Sequence, residues 1–398
     1  MADLETLPKG ADGRRLKVAH VTTIAASLQY LLLNLLESLV EEGYEVVGVS
    51  APGPEVEELA ARGVSHRVIT ISRRMAPFED LRALWQLVRL FRREGFDVVH
   101  THTPKPGLLG QLAARLAGVP VIVNTIHGFY FHEHSKPMAR RALILLEKIA
   151  ARCSTRILSQ NFEDVGTAIK EGITQPERIE FLGSGIDVKR FQPDRIDSAA
   201  VAALRREFDL PVGIPVVGFV GRLVAEKGIL ELLEAAGQVL DEFGDFRLLL
   251  VGPRDDIKAD ALTEEVAARF GVEKICRFTG MREDMVALYA SMDLFVLPSH
   301  REGLPRAPME AASMGLARIV TNVRGCRETV TDGHDGLLVP VRDPGSLAQA
   351  IVRLLRDPEE ARRLAEQALE TSKERFDEEL AFEQIKNVYG QELAKLGR

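Results

Sequence analysis

Residues 16–50 combine two patterns, in the segments LKVAHVTT (16–23), SLQYLLLNLLESLVEEG (27–43) and YEVVGVS (44–50). The first and third segments are short, apolar and rich in β-branched residues, which is typical of buried strands. The middle segment has apolar residues at helical spacing and stops at Gly43. A strand, a helix and a second strand in this order predict a βαβ unit, and hence an α/β fold with a parallel sheet.

The same alternation extends along most of the chain and starts twice. The first series continues to VPVIVNTIH (119–127), and a second series runs from IPVVGFVG (214–221) to ARIVTN (317–322). Two α/β sheets joined near 185–195 is the economical interpretation. The predicted organisation is a loose tail (1–13), a first domain (14–190), a second domain (191–375) and a C-terminal helical segment (376–398).

The composition is that of an ordinary globular protein and excludes several classes. The 398 residues are 46% apolar and 27% charged, and no apolar run reaches the roughly 20 residues needed to span a bilayer. The three cysteines are far apart, which argues against a disulfide framework and fits a reducing, cytoplasmic location. The net charge of −7 argues against general nucleic-acid binding.

One segment is strongly basic despite the acidic average. Residues 62–156 contain 16 basic and 6 acidic side chains. The stretch KPMARRALILLEKIAARCSTR (136–156) arranges several of these cations around an apolar stripe. Two interpretations remain open. Either the stretch contacts an anionic membrane surface, with the protein otherwise in the cytoplasm, or it forms a core-packing helix with a solvated face.

Parallel sheets bind ligands beyond the carboxyl ends of their strands, which directs attention to GRLVAEKG (221–228). This segment follows an apolar strand and opens a helix. Gly221 permits a tight turn, and Arg222 and Lys227 together with free backbone N–H groups offer a cationic cradle for phosphates. The alternative is a connecting loop with two solvated cations.

A second segment, PSHREGLPRAPMEAASMG (298–315), combines carboxylates with small residues. Glu302 lies in the loop after a strand, and Glu310 lies on the following helix. Such carboxylates can accept hydrogen bonds from the hydroxyls of a ribose or another sugar. The alternative is two exposed glutamates, although Gly303, Leu304 and Pro305 beside them suggest a close backbone approach.

Histidines follow the strands of the first series. His127 ends a strand in TIHGFYFHEH (125–134), where it either faces a ligand or caps the sheet as a structural residue. His132 and His134 form an HxH pattern, but ligands from one short stretch make a poor metal site. No metal is therefore predicted. Three further histidines are expected to line the cleft of the first domain: His20, His100 and His102.

Taken together, five segments resemble retaining glycosyltransferases of family 4. They are DVVHTHTPKPGLLG (97–110), LGSGIDVKRF (182–191), GRLVAEKG (221–228), REGLPRAPMEAASMG (301–315) and NVRGCRETVTDGHDGLLV (322–339). The spacing from Glu302 to Glu310 matches the E-x7-E pattern of that family. The resemblance implies the GT-B fold, with two Rossmann-like doubly wound domains facing across a cleft and residues 376–398 crossing back to the first domain.

The resemblance also implies a function. The chain would transfer a sugar, with retention, from a nucleotide-diphosphate sugar, with UDP as the expected nucleotide. The acceptor would be a saccharide, most similar to the polyprenyl-diphosphate-linked saccharides of surface polysaccharide assembly. The nucleotide sugar is then a substrate, no cofactor is needed, and basic side chains take the place of a metal.

Roles for individual residues follow from the same likeness. Arg222 and Lys227 would hold the donor diphosphate, Glu310 the ribose, and Glu302 with the backbone of Gly303 and Leu304 the donor sugar. The implied catalytic residues are His127, Arg222, Lys227 and Glu302. The implied donor-binding residues are Gly221, Arg222, Lys227, Phe278, Gly280, Met281, Glu302, Gly303, Leu304 and Glu310. The implied acceptor-side residues are Ser27, His102 and Lys105.

The sequence departs from the family pattern in one loop, and two other functions remain as alternatives on this fold. Ala25, Ala26 and Ser27 stand where many family members have a Gly-Gly pair, which favours an acceptor-side role for this loop. A sugar-nucleotide epimerase and a non-catalytic nucleotide-sugar binder are the alternative functions on this fold. A nicotinamide dehydrogenase is disfavoured, because the segment from Gly183 to Gly185 is followed by Val188 where a third glycine is required.

Overall fold

The computed structural model describes residues 13–72, 76–131, 136–255 and 260–397. The chain forms two compact units. The first unit contains the described residues up to Gly183 together with those from Leu380 onward, and the second runs from Ser184 to Glu379.

The first unit is built on a seven-stranded sheet. Its strand order is β3-β2-β1-β4-β5-β6-β7, and every neighbouring pair is parallel. The short strand β7 was not expected, since IEF is too short to show a periodicity. The strands are β1 (Lys17–Ile24), β2 (Glu45–Ala51), β3 (Ser65–Val68), β4 (Val98–His102), β5 (Val121–Ile126), β6 (Arg156–Ser159) and β7 (Ile179–Phe181).

Helices cover both faces of this sheet. One core combines α1 with apolar side chains of the C-terminal helix α14, and another combines α3 with α4. Helix α14 begins in the second unit, and from Leu380 onward it clusters with the first. The helices are α1 (Ala25–Glu41), α2 (Val56–Ala61), α3 (Pro77–Glu94), α4 (Pro104–Ala117), α5 (Pro137–Ala151), α6 (Phe162–Lys170) and α14 (Glu378–Ala394).

The second unit contains a six-stranded sheet of order β10-β9-β8-β11-β12-β13, again entirely parallel. The strands are β8 (Val216–Val220), β9 (Arg247–Val251), β10 (Cys276–Gly280), β11 (Leu294–Leu297), β12 (Ala317–Thr321) and β13 (Leu337–Val339). Seven helices complete the described part of this unit: α7 (Ser198–Glu207), α8 (Ile229–Glu242), α9 (Met285–Ala290), α10 (Arg306–Ser313), α11 (Arg324–Arg327), α12 (Pro344–Arg356) and α13 (Pro358–Arg375).

The predicted α/β class with two parallel sheets is confirmed. Between β9 and β10 the described chain forms a short 3-10 helix, Glu264–Phe270. The tail assigned to 1–13 lies outside the described residues except for its last position. The described helices include none that is both long and apolar enough to cross a bilayer.

The second unit extends beyond both predicted boundaries, 190 and 376, because it begins at Ser184 and ends at Glu379. Ile186 pairs with Asp377, and the Ile186 N–H donates to the carbonyl of Phe376 at 2.8 Å. Phe376 is buried in the core of this unit. The two chain crossings are therefore hydrogen-bonded to each other, so the first lies at Gly183 and the second at Glu379.

Candidate active site

The strand order of the second sheet places its switch point between β8 and β11. Strands β8, β9 and β10 run outward on one side of this point, and β11, β12 and β13 on the other. A crevice for a ligand forms at the carboxyl edge of such a point. The loops that follow β8 and β11 are residues 221–228 and 298–305, which are the two segments singled out from the sequence.

These two loops pack tightly against each other. Gly228 has a φ of +73°, and a Cβ there would overlap the carbonyl of Pro298. The N–H of His300 donates to the carbonyl of Glu226 at 2.9 Å, and Arg301 forms an ion pair with Glu226 at 2.9 Å. Only a residue without a side chain permits this approach, which holds the first loop beside the second.

Lys227 and Glu302 form an ion pair across this contact. The distance from Lys227 Nζ to Glu302 Oε1 is 2.6 Å, and the two side chains are 20% and 9% exposed. The segment after β12 packs on the backbone that follows this carboxylate, since a Cβ on Gly325 would overlap the Gly303 carbonyl. Burial raises the pKa of the neighbouring Cys326 thiol, and the nearby charge of Glu302 adds to the shift. The structure thus brings together two of the predicted site residues, one cationic and one anionic.

Arg222 is directed to a different partner. Its guanidinium contacts Asp255 at 2.5 Å, and its side chain is 44% exposed. Asp255 belongs to the loop after β9, so this pair ties the β8 loop to the strand on its other side. The sequence suggested an accessible cation at Arg222, whereas the structure shows one that shares its charge with a carboxylate.

Glu310 is held by residues that the sequence analysis did not identify. The buried Tyr289 hydroxyl donates to Glu310 Oε2 at 2.8 Å, and Arg306 Nε lies 3.8 Å from Glu310 Oε1. Burial, together with the Glu310 charge, raises the pKa of Tyr289 well above its ordinary value, so the phenol stays protonated and remains a donor. Tyr289 therefore fixes the orientation of the Glu310 carboxylate.

Three of the implied donor-binding residues, Phe278, Gly280 and Met281, lie at the end of strand β10 or directly after it. Phe278 is partly buried, and Met281 is 58% exposed. The Gly280 carbonyl accepts a hydrogen bond from the Gly252 N–H at 3.0 Å, and the Gly221 N–H donates to the Val251 carbonyl at 2.9 Å. The ends of β8, β9 and β10 are thus joined edge to edge, and they continue the surface that carries Lys227 and Glu302.

The first sheet has its own switch point, between β1 and β4. Ser27 lies in the first turn of α1, and Lys105 lies in the first turn of α4, where it forms a 2.6 Å ion pair with Asp80. Thr103 lies directly before α4. It combines a φ of +66° with a ψ of 153°, a conformation nearly restricted to glycine. Its hydroxyl lies 3.2 Å from that of Thr23. A strained residue held at a switch point marks this edge as a candidate site.

Four histidines form one hydrogen-bonded cluster beneath that edge. His20 Nδ1 lies 3.0 Å from His102 Nε2, and His102 Nδ1 lies 3.1 Å from His127 Nε2. His127 Nδ1 reaches Gln160 Oε1 at 2.8 Å. Burial lowers the pKa of His20 to about 3 and that of His127 to about 4, so both rings are neutral at pH 7. His127, which the resemblance implies to be catalytic, therefore has both ring nitrogens occupied by protein groups.

The remaining histidine, His100, extends the cluster to the C-terminal helix. His100 Nδ1 lies 2.6 Å from the Tyr389 hydroxyl, and His100 Nε2 lies 2.7 Å from Thr125 Oγ1. One nitrogen each of His20, His100 and His102 lie within 4.8 Å of one another, a spacing that could suit a metal. All six of their ring nitrogens already have protein partners, because Tyr389 also lies 3.4 Å from His20 Nε2. The trio is thus arranged as a hydrogen-bonded cluster.

Some predicted positions cannot be placed. His132 and His134 lie outside the described residues. The site residues that sequence reasoning missed are Asp255, Tyr289, Thr103, Gln160 and Tyr389. Thr103 lies in the family-like segment 97–110 but was not singled out there, and its backbone angles identify it. The other four lie in no recognisable motif, and each is identified by its contact with a residue that does.

Two family models match the chain, one for each sheet. Residues 29–185 match a glycosyl transferase 4-like domain, and residues 214–357 match the group 1 glycosyl transferases. A curated *Escherichia coli* relative, UDP-Gal:alpha-D-GlcNAc-diphosphoundecaprenol alpha-1,3-galactosyltransferase, is 32% identical over 355 residues, covering 86% of this chain and 89% of the relative. A *Campylobacter jejuni* relative, N,N'-diacetylbacillosaminyl-diphospho-undecaprenol alpha-1,3-N-acetylgalactosaminyltransferase, is 24% identical, covering 94% and 98%.

A solved structure agrees with the fold along nearly the whole chain. The *Anabaena* protein HepE in complex with UDP and glucose has a TM-score of 0.81 and 20% identity, and the match covers 95% of this chain and 100% of HepE. At that identity the likeness concerns the fold alone. The chain therefore has the GT-B fold that the sequence resemblance implied.

Proposed function

The chain belongs to the glycosyltransferases that combine a family 4-like domain with a group 1 domain, and on that premise we propose that it transfers a sugar, with retention, from a UDP-sugar to a lipid-linked saccharide. The observation that carries this proposal is the Lys227–Glu302 pair at the switch point of the second sheet. A cation and a sugar-binding carboxylate side by side suit a donor whose diphosphate is attached directly to its sugar.

The donor assignment rests on charge and on the relatives. Lys227 and Arg222 offer positive charge to a diphosphate, and Tyr289 orients Glu310 for a ribose. The *E. coli* relative is named for UDP-Gal, and HepE was solved with UDP. In this mechanism the two cations stabilise the negative charge that develops on the departing UDP. We therefore propose a metal-independent reaction without a cofactor.

The acceptor assignment and the stereochemistry rest on the relatives alone. Both curated relatives are named for acceptors linked to diphosphoundecaprenol and for an alpha-1,3 bond. UDP-galactose carries its sugar in the α configuration, so an α product corresponds to retention. We place the acceptor at the carboxyl edge of the first sheet, beside Ser27 and Lys105, with the buried His102 beneath them in the histidine cluster.

We expect turnover only when donor and acceptor are both present. The test incubates the protein with a panel of UDP-sugars, each with and without a synthetic polyprenyl-diphosphate saccharide, and reads the products by mass spectrometry and anomeric NMR. An α-linked product that requires both substrates supports the proposal. A donor that changes configuration without acceptor would instead indicate an epimerase, and binding without any conversion would indicate a non-catalytic binder.

We also propose that the first unit contacts an anionic membrane through the outer surface of α3 and α5. On α5, Met138 and Leu145 are 85% and 56% exposed, and Arg141 and Arg152 beside them are exposed. On α3, the exposed apolar residues are Phe78, Leu81 and Trp85, and the exposed cations are Arg82, Arg89, Arg92 and Arg93. Exposed aromatic and basic side chains together suit the interface of a bilayer.

Other basic residues of that segment have protein partners. Arg140 pairs with Glu171, Lys105 with Asp80, and Arg156 with Glu392. The membrane proposal is therefore limited to the cations that stay exposed beside apolar side chains. This surface would bring the enzyme to the membrane that holds a polyprenyl-linked acceptor.

Charge reversal of this surface is expected to release the protein from vesicles. Each cation near an anionic bilayer contributes about 1 kcal/mol, so Arg141→Glu with Arg152→Glu should weaken partitioning by about 30-fold or more. The measurement is flotation with phosphatidylglycerol-containing liposomes at low and high salt. Arg195→Glu with Arg206→Glu, two exposed arginines of the second unit, makes the same change in net charge and should bind like wild type. Binding that is unaffected by salt and by both double variants would remove the proposal.

A further inference from the structure

The histidine cluster of the first unit forms one continuous chain of hydrogen bonds. The chain runs from Thr125 through His100, Tyr389, His20, His102 and His127 to Gln160. Its links measure 2.7, 2.6, 3.4, 3.0, 3.1 and 2.8 Å in that order. We call these seven residues the histidine relay.

The chemistry of neutral imidazole restricts the relay to two states. Each neutral ring has one nitrogen that donates and one that accepts. If the Gln160 carbonyl accepts from His127 Nδ1, then His127 Nε2 must accept from His102, and His102 Nε2 must accept from His20. His20 Nε2 then accepts from the Tyr389 hydroxyl, Tyr389 accepts from His100 Nδ1, and His100 Nε2 accepts from Thr125.

The opposite state would also be complete, but the structure places Gln160 Oε1 at His127 Nδ1 and therefore corresponds to the first state. If the Gln160 amide is turned so that its NH₂ group faces His127, every donor and acceptor along the relay exchanges roles. In both states each atom has a matching partner. A mixed state would place two donors or two acceptors opposite each other at a buried link, or would leave the buried Tyr389 hydroxyl proton without an acceptor in the relay, and either is costly. The tautomers of the four histidines are therefore coupled.

Burial keeps the relay in its neutral form. His20, His100 and His102 are at most 1% exposed, and Tyr389 is fully buried. Burial lowers the pKa of His100 and His102 well below its ordinary value, and neighbouring histidines add to the shift. Burial likewise raises the pKa of the Tyr389 phenol well above its ordinary value, so its proton remains available to the chain of bonds. His127 and Gln160 are half-buried, and they form the end of the relay that is nearest to solvent.

We propose that Tyr389, on the C-terminal helix, is a positioning residue that fixes the tautomer and ring orientation of His127 through His20 and His102. The inference rests on the proposed function, with His127 as one of the catalytic residues that the family resemblance implies. When a sugar hydroxyl replaces Gln160, the relay determines whether His127 Nδ1 meets that hydroxyl as a donor or as an acceptor. Docking of residues 380–398 onto the first unit thereby sets the chemistry of the active-site histidine.

The test removes a single oxygen atom. Tyr389→Phe keeps the ring in the core but breaks the relay between His100 and His20. The matched control is Tyr44→Phe, because Tyr44 is also buried and packs edge-on against Tyr389 at 6.4 Å, yet its hydroxyl lies outside the relay. Thr125→Val and Thr125→Ser form a second pair, which removes or keeps the terminal hydroxyl without altering the helix.

Two readouts separate the relay from the function. Side-chain ¹⁵N NMR of histidine-labelled protein, with His127 assigned through His127→Gln, should show one tautomer at His127 in wild type and in Tyr44→Phe. In Tyr389→Phe the same signals should move toward averaged values. In the transfer assay kcat should fall about 10-fold in Tyr389→Phe, as expected when a reacting group loses its orientation, with the donor KM unchanged within about 2-fold.

The outcomes distinguish the two ideas. A His127 tautomer unchanged in Tyr389→Phe, or equal losses of kcat in Tyr389→Phe and Tyr44→Phe, would overturn the relay. A shifted tautomer in a protein that transfers no sugar would support the relay and reject the proposed function. If Tyr389→Phe does not fold, Thr125→Val must shift the His127 signals and Thr125→Ser must restore them, or the relay is rejected.

Discussion

Replacing Lys227 with methionine is expected to lower kcat/KM by about 100- to 1,000-fold, the usual cost of losing one well-placed group that stabilises developing charge. Lys227 lies in the β8 loop at the switch point of the second sheet, and its ammonium group is 2.6 Å from Glu302. In the proposed reaction this cation stabilises the leaving diphosphate. The measurement is a steady-state assay with the donor and acceptor identified by the substrate panel.

The same substitution should also reduce stability, which has to be separated from catalysis. The Glu302 side chain is only 9% exposed, so removing its partner leaves a largely buried carboxylate uncompensated. The double variant Lys227→Met with Glu302→Gln has no charge at either position. We expect it to recover most of the melting temperature lost in Lys227→Met, without recovering kcat.

The control for the Lys227 experiment is Arg301→Ala. Arg301 belongs to the neighbouring loop and forms an ion pair with Glu226, and its side chain is 42% exposed. Exposed pairs of this kind contribute about 0–1 kcal/mol, so turnover should stay within about 5-fold of wild type. Turnover close to wild type in the uncharged double variant would show that the cation at 227 plays no part in stabilising the leaving group.

Most of the fold could be predicted because its signals are local. The strands of LKVAHVTT and IPVVGFVG are short apolar runs, and both are buried as expected. Strand β7 and the ends of the units could not be predicted in the same way. The pairing of Ile186 with Asp377 joins residues far apart in the sequence, and no local pattern reveals it.

The residues of the candidate site likewise fall into two groups: those that a local pattern identifies and those that only tertiary packing reveals. Lys227 and Glu302 lie in recognisable segments, and the structure places them in contact. Their supporting residues were missed, since the Tyr289 bond to Glu310 and the Tyr389 bond to His100 depend on tertiary packing. Sequence reasoning therefore identified residues placed to meet a substrate, whereas the residues that orient them required the structure. Catalytic roles for His127, Arg222, Lys227 and Glu302 remain predictions.

Two truncations are expected to separate the stabilities of the two units. Ending the chain at Glu379 removes five large side chains that are buried in the core of the first unit: Phe382, Ile385, Val388, Tyr389 and Leu393. Each contributes roughly 1.5–3 kcal/mol on burial. Their sum of about 10 kcal/mol is comparable to the whole stability of a typical domain, so the first unit should lose its cooperative unfolding transition.

The second unit should respond only to the longer truncation. Its core includes Phe376 but no residue beyond it, and Ile186 bonds to the Phe376 carbonyl and pairs with Asp377. A chain ending at Glu379 should therefore keep the second unit's melting transition, and one ending at Arg375 should lower it. Differential scanning calorimetry, with limited proteolysis to assign each transition, measures both. If the chain ending at Glu379 melts as wild type does, the stability of the first unit does not depend on the apolar side chains of helix α14.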